Sequence, residues 1–177
     1  DLLYLFSKYT KDIKKVVGTV MTNFGIRKNL SLYGIKFIET DVGDKNVLEA
    51  VKKNNCLIGT ESSGHIVRND IIQIPIGDAL ITMIKFIHLL YDIDKNIYEV
   101  YPKSLKVPSM LINVETSSPD ILINNNKSKF TKVEKILQKD GRILVRKSGT
   151  QSMIRILIEH ESEDLLQEAK EVIDTLS

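Results

Sequence analysis

Between residues 15 and 60 the chain alternates short apolar runs with amphipathic segments, and this alternation limits the possible folds more than any other feature. Residues 15–20, 35–39 and 57–60 read as strands. Residues 25–33, closing near Gly34, and 44–53 read as helices, the second with Val47, Leu48 and Val51 on its apolar side. Parallel strands need a crossover between them, so the pattern is that of βαβ units in an open α/β sheet. Residues 2–9 read as the end of a further helix. Residues 77–91 form an amphipathic one in which Leu80, Ile84, Ile87 and His88 are spaced for one face. On that face His88 is a helix-surface residue and takes no functional role.

From residue 92 to 108 the charge is mixed, two prolines occur and no period is sustained, which marks a connection between domains. Beyond it the pattern changes. Residues 110–115, 142–147 and 153–159 read as strands, with Ile154, Ile156 and Ile158 on one face of the last and Arg155 on the other. Residues 128–139 read as a helix with Phe130, Val133, Ile136 and Leu137 inward. Ser162 is placed to cap a final helix whose first turn carries Glu163 and Asp164, and whose buried stripe holds Leu166, Ala169, Val172 and Ile173. The asparagines at 124–126 suit a loop tip. The expected architecture is a three-layer α/β/α domain over 1–106, then a small α+β domain over 107–177 with two helices covering an antiparallel sheet.

The chain's 177 residues, 42% of them hydrophobic, are enough for two small cores. A formal charge of +2 does not suit a nucleic-acid binder, and the basic residues that matter are local, around 142–147. The single cysteine, Cys56, excludes an internal disulfide and suits a reducing cytosol. The most apolar stretch, 79–90, is interrupted by Thr82, Lys85 and His88, so no membrane span is expected and a cytoplasmic location is.

Two polar clusters stand at the ends of predicted strands. The first, Val-Arg-Lys-Ser-Gly-Thr-Gln-Ser-Met-Ile-Arg over 145–155, supplies what a phosphate monoester needs: donor forks from Arg146 and Arg155, hydroxyls from Ser148 and Thr150, and open backbone at Gly149. Taken alone, the same run is also ordinary turn chemistry with solvated cations. The second, Leu-Ile-Gly-Thr-Glu-Ser-Ser-Gly-His-Ile over 57–66, follows a strand of the α/β sheet, at the end where such sheets place ligands. Glu61 can accept from vicinal hydroxyls, Ser63 can donate or accept, and His65 adds an imidazole. Alone, this too is compatible with a solvated turn.

Together the clusters resemble the α-D-phosphohexomutases. That family carries a sugar loop Gly-Glu-x-Ser-Gly-His in its third domain and a phosphate loop Arg-x-Ser-Gly-Thr-Glu-Pro-x-x-Arg in its fourth. The matches here run from Glu61 to His65 and from Arg146 to Arg155. Two further runs, Val-Gly-Thr-Val-Met-Thr-Asn at 17–23 and Val-Gly-Asp-Lys-Asn-Val-Leu-Glu at 42–49, are similar to the branch acting on glucosamine phosphates. The departures are Thr60 for Gly, Ser62 for Gln, Ser152 for Pro, and Ile-Gly-Asp-Ala at 76–79 where the family has Gly-Asp-Gly. Without the proline the exit of the phosphate loop should be looser.

The resemblance implies roles. Glu61, Ser63 and His65 would contact sugar hydroxyls, and Arg146, Ser148, Gly149, Thr150 and Arg155 would hold the phosphate. The reaction would interconvert glucosamine 6-phosphate and glucosamine 1-phosphate through a hexosamine 1,6-bisphosphate, on the route to UDP-N-acetylglucosamine and cell wall. Such enzymes use a phosphoserine from a first domain and a Mg²⁺ loop, Asp-x-Asp-x-Asp-Arg, from a second. Neither motif occurs here: Asp92 and Asp94 lack a third carboxylate and the arginine, so no metal ligand and no catalytic residue is expected. The chain, which starts at Asp1 directly on a helical pattern, is therefore expected to be the C-terminal half of such an enzyme, inactive alone, with the first two domains and a small sugar phosphate as its partners and no nucleic acid or membrane. As a fragment it is expected to be monomeric. Open alternatives are a phosphomannomutase or phosphoglucomutase fragment, a non-catalytic sugar-phosphate-binding module, and an inert interaction fragment.

Overall fold

A computed structural model describes residues 1–70 and 76–176. The chain divides into two compact units, Asp1–Leu105 and Lys106–Ser177.

The first unit opens with helix α1 (Leu2–Tyr9) and strand β1 (Lys15–Thr19), then α2 (Phe24–Leu32), β2 (Lys36–Thr40), α3 (Asp44–Asn54) and β3 (Ile58–Thr60). β4 (Ile66–Arg68), β5 (Ile76–Gly77), α4 (Ala79–Asp92) and α5 (Ile97–Val100) complete it. The sheet order is β2-β1-β3-β4-β5. β2 and β3 both run parallel to β1, while β4 and β5 form an antiparallel extension. Alternation along β1 sends Val16 to one face and Val17 to the other. Val16 joins the larger core, built with Leu3, Phe6, Ile26, Leu30 and Ile58 and flanked by Phe86 and Leu89. Val17 joins Val47, Val51, Cys56 and Val67 under α3. The α/β/α layering is thus present.

Gly59 lets α3 lie close on β3. A Cβ there would stand 2.5 Å from Val51 Cγ2 and 2.8 Å from Val47 Cγ1. Overpacking of that kind costs about 1–3 kcal/mol.

Two readings of the first unit are corrected. The stretch 92–108 is only partly a connection: Asn96 and Glu99 form a reciprocal capping box that starts α5, and Val100 and Leu105 are buried in the larger core. The helix expected from residue 77 begins at Ala79, because the Asp78 side chain caps it by accepting from Ile81 N at 2.9 Å. On this helix Leu80, Ile84 and Ile87 do share a face, and that face is exposed. The packed side is Thr82, Phe86, Leu89 and Leu90, with Phe86 edge-on to Phe6.

The second unit contains β6 (Ser109–Glu115), α6 (Pro119–Asn125), α7 (Lys127–Leu137), β7 (Gly141–Lys147), β8 (Met153–His160) and α8 (Glu163–Ile173). The sheet order is β6-β8-β7, antiparallel throughout. Phe130, Val133 and Leu137 of α7 and Leu166, Ala169 and Ile173 of α8 bury one face of the sheet against Ile154, Ile156 and Ile158. Ser162 caps α8 by accepting from Leu165 N. The short helix α6, started by Ser118 and Pro119, takes in Asn124 and Asn125, and Asn126 behind it is buried, so these asparagines are not the expected loop tip. The sheet's other face carries Arg142, Arg146 and Arg155, and thereby the candidate phosphate site.

Candidate functional site

The polar loop of the first unit connects β3 to β4. Glu61 N donates to His65 O at 2.9 Å and Gly64 N to Glu61 O at 3.1 Å, a tight turn in which Gly64 has φ +104°. The turn folds Glu61, Ser63 and His65 onto one another. Ser63 Oγ donates to Glu61 Oε2 at 2.9 Å and lies 3.1 Å from His65 Nδ1. A carboxylate oxygen only accepts, so the hydroxyl hydrogen goes to Glu61 and the Ser63 oxygen accepts a hydrogen bond from His65 Nδ1–H.

Glu61 has a second support. Gly43 donates its backbone N–H to Glu61 Oε1 at 2.9 Å. Gly43 is the N-cap of α3 at φ +119°, a conformation that suits glycine, so a turn 18 residues upstream aims the carboxylate. Gly43 was read only as part of a family-like run; its contact with Glu61 is a positioning role that spacing did not reveal. Glu61 is 16% exposed and His65 63%, which places the carboxylate at the base of the loop and the imidazole at its rim. Gly64 and His65 also line a cavity of about 420 Å³ with Leu2, Asp78, Met83 and Phe86.

In the second unit, β7 and β8 bring Arg146 and Arg155 directly opposite each other in register. The loop between them is closed by Ser148 N to Met153 O at 3.0 Å, and its exit is tied to the end of β6 by Thr116 N to Ser152 O at 3.0 Å. Ser152, at the position of the family's proline, is thus held through its carbonyl. Thr150 is exposed, and a Cβ built on Gly149 meets nothing within 4 Å, so this glycine leaves open space above the loop.

Charge bookkeeping isolates two cations. Lys147 Nζ is paired with Asp120 of α6 at 3.0 and 3.2 Å, and Arg142 with the buried Glu159. The basic stretch 142–147 therefore narrows to Arg146, to which the fold adds Arg155. Among the described residues, Arg155 Nη2 donates only to the neutral Gln151 Oε1, at 3.3 Å. The Nε atoms of both arginines and Ser148 Oγ are buried and have no hydrogen-bond partner among the described residues. Like charges directly opposite in a sheet repel, and an oxyanion held between the two guanidinium groups would offset that repulsion.

No group of three or more His, Cys, Asp or Glu side chains is placed to hold a metal among the described residues. Among them, too, no helix is long and apolar enough to cross a membrane.

Residues 1–107 match the family model of phosphoglucomutase/phosphomannomutase α/β/α domain III, and residues 111–176 that of the C-terminal domain of the same family. The phosphoglucosamine mutase of Bacillus subtilis is 36% identical over 175 residues, covering 95% of this chain and 39% of the relative. That of Natranaerobius thermophilus is 36% identical over 156 residues, covering 87% of this chain and 35% of the relative. The chain thus spans well under half the length of these relatives. Among solved structures, an N-acetylglucosamine-phosphate mutase of the α-D-phosphohexomutase superfamily in its substrate complex superposes with a TM-score of 0.74 at 18% identity, over 99% of this chain and 43% of that one. The Aspergillus fumigatus N-acetylphosphoglucosamine mutase in complex with GlcNAc-6P and magnesium gives 0.71 at 17% identity, over 99% and 43%.

Proposed function

This chain belongs to the phosphoglucomutase/phosphomannomutase family, and we propose that it is the sugar-phosphate-binding C-terminal half of a phosphoglucosamine mutase that interconverts glucosamine 6-phosphate and glucosamine 1-phosphate in the cytoplasm. Residues 1–106 act as the hydroxyl-recognising domain and 107–177 as the phosphate-recognising domain. The observation that carries this reading is the Arg146–Arg155 pair, facing each other with no carboxylate partner among the described residues.

The roles follow from the atoms. Arg146 and Arg155 offer planar donor forks to the phosphate oxygens, Ser148 and Thr150 add hydroxyl donors, and Gly149 lets the phosphate approach the backbone. Glu61, held by Gly43 and Ser63, keeps lone pairs for sugar hydroxyls, and His65 presents Nε2 to a hydroxyl or ammonium hydrogen. These groups bind and orient; they transfer no phosphoryl group. A mutase that moves phosphate between the two ends of a sugar through a 1,6-bisphosphate needs such a grip on the non-reacting end. The phosphoserine and the Mg²⁺ ion, which neutralises phosphate charge when bound, belong to other domains of the longer enzyme. The carboxylates of the described residues do not fit the ion.

Calorimetric titration of this chain with glucosamine 6-phosphate tests the reading. Binding that is lost in Arg146→Ala and Arg155→Ala and weakened in Glu61→Gln is the expected result. Absence of binding at millimolar ligand would overturn it.

A further inference from the structure

Helix α4 is apolar on two sides. One side packs on the first core through Phe86, Leu89 and Leu90. The other presents Leu80, Met83, Ile84, Ile87 and Tyr91, spaced as successive turns of one stripe and exposed by 62, 53, 55, 59 and 83%. The two sides adjoin at Met83 and Leu90, and the remaining face carries Lys85, His88 and Asp92, with His88 Nδ1 3.0 Å from Asp92 Oδ2. A helix that is apolar nearly all round is the pattern of a buried helix, and a stripe of this size marks an interaction surface.

The surroundings of the stripe indicate what covers it. Met83 lines the 420 Å³ cavity together with Leu2 of α1 and with Gly64 and His65 of the sugar loop. Polypeptide joined ahead of α1 would leave the unit beside this stripe. The sequence relatives carry such polypeptide, since only 35 to 39% of their length is matched here, and the matched family models are those of domain III and the C-terminal domain.

We propose that the Leu80–Tyr91 stripe of α4 is the docking surface for the domain that precedes this chain in the longer mutase. The proposal rests on the reading that the chain is part of such an enzyme. Docking there would hold the preceding domain against the wall of the cavity lined by His65 and so couple its placement to the sugar loop.

The test uses Ile84→Cys in the 177-residue chain and in the longer polypeptide encoded by its gene, with maleimide labelling as the readout. Cys56 is fully buried, so labelling reports the introduced thiol. The thiol should react freely in the 177-residue chain and at least tenfold more slowly in the longer polypeptide. In a second variant, Ile87→Lys should leave the melting temperature of the shorter chain unchanged and lower that of the longer polypeptide by several degrees, on the order expected for loss of one buried contact. Equal labelling in both polypeptides overturns the proposal. So does protection that rises with the concentration of the shorter chain together with sedimentation as a dimer, because the occupant would then be a second copy. A gene that encodes no domain upstream removes the premise itself, an outcome read from its sequence and distinct from equal labelling in a longer polypeptide.

Discussion

Arg146 and Arg155 stand directly opposite each other across β7 and β8, with buried Nε atoms that have no hydrogen-bond partner among the described residues. In a sheet this is an unfavourable arrangement, and it persists in a strand pair whose other cations are neutralised by Asp120 and Glu159. On the proposed reading the pair is a place where stability and ligand binding oppose each other.

Arg155→Gln should raise stability in phosphate-free buffer by about 0.5 kcal/mol, because like charges opposite in a sheet cost roughly 0.2–1 kcal/mol. The same change should weaken glucosamine 6-phosphate binding by about tenfold or more, since a hydrogen bond to a charged group contributes roughly 1.5–3 kcal/mol. Denaturant melts and calorimetry read the two effects separately. A variant that is less stable and binds as before would count against the phosphate site.

Gly149→Ala should fold as well as the parent, because its Cβ would meet nothing within 4 Å and its φ is not positive. Affinity for inorganic phosphate should nevertheless fall several-fold, as the methyl group occupies the space an oxyanion needs. Unchanged affinity would show that the ligand does not approach the loop from that side.

Gly43→Ala should cost about 1–3 kcal/mol, the price of a side chain at φ +119°. The accompanying loss of aim at Glu61 should weaken glucosamine 6-phosphate binding while leaving inorganic phosphate binding unaltered. A parallel loss of both affinities would assign the effect to general misfolding.

Acid should destabilise the first unit through Asp70. Burial of this carboxyl favours its neutral form, but the hydrogen bonds and charge of Arg68 outweigh that and hold its pKa below the ordinary 3.8. A group whose folded pKa is depressed stabilises the fold above its unfolded pKa, and that contribution disappears as pH falls through the lower folded value. Unfolding free energy measured from pH 6 downward should therefore decline below about pH 4. Asp70→Asn should be less stable at neutral pH by on the order of 2 kcal/mol, less than a fully buried broken pair costs, and should show a shallower acid slope.

The legible parts of the fold were those set by local pattern. Alternating apolar runs located β1, β2 and β3 and their helices, and Ser162 announced α8. The stretch after residue 92 was misread because its two prolines and mixed charge outweighed the Asn96–Glu99 capping box, which sequence does contain. At the sites, residue types pointed to phosphate and hydroxyl chemistry, but partners distant in sequence could not be read. The withdrawal of Lys147 depends on Asp120, 27 residues away, and that of Arg142 on Glu159, 17 residues away. The α4 stripe was legible as a face, yet periodicity does not say whether a face is covered.

The bond from Gly43 to Glu61 also bears on protein engineering. The hairpin proposed to recognise sugar hydroxyls, transplanted as residues 58–68 alone, would arrive without the amide that orients its carboxylate. Any graft would have to move the start of α3 along with the hairpin, treating two segments far apart in the chain as one unit of inheritance.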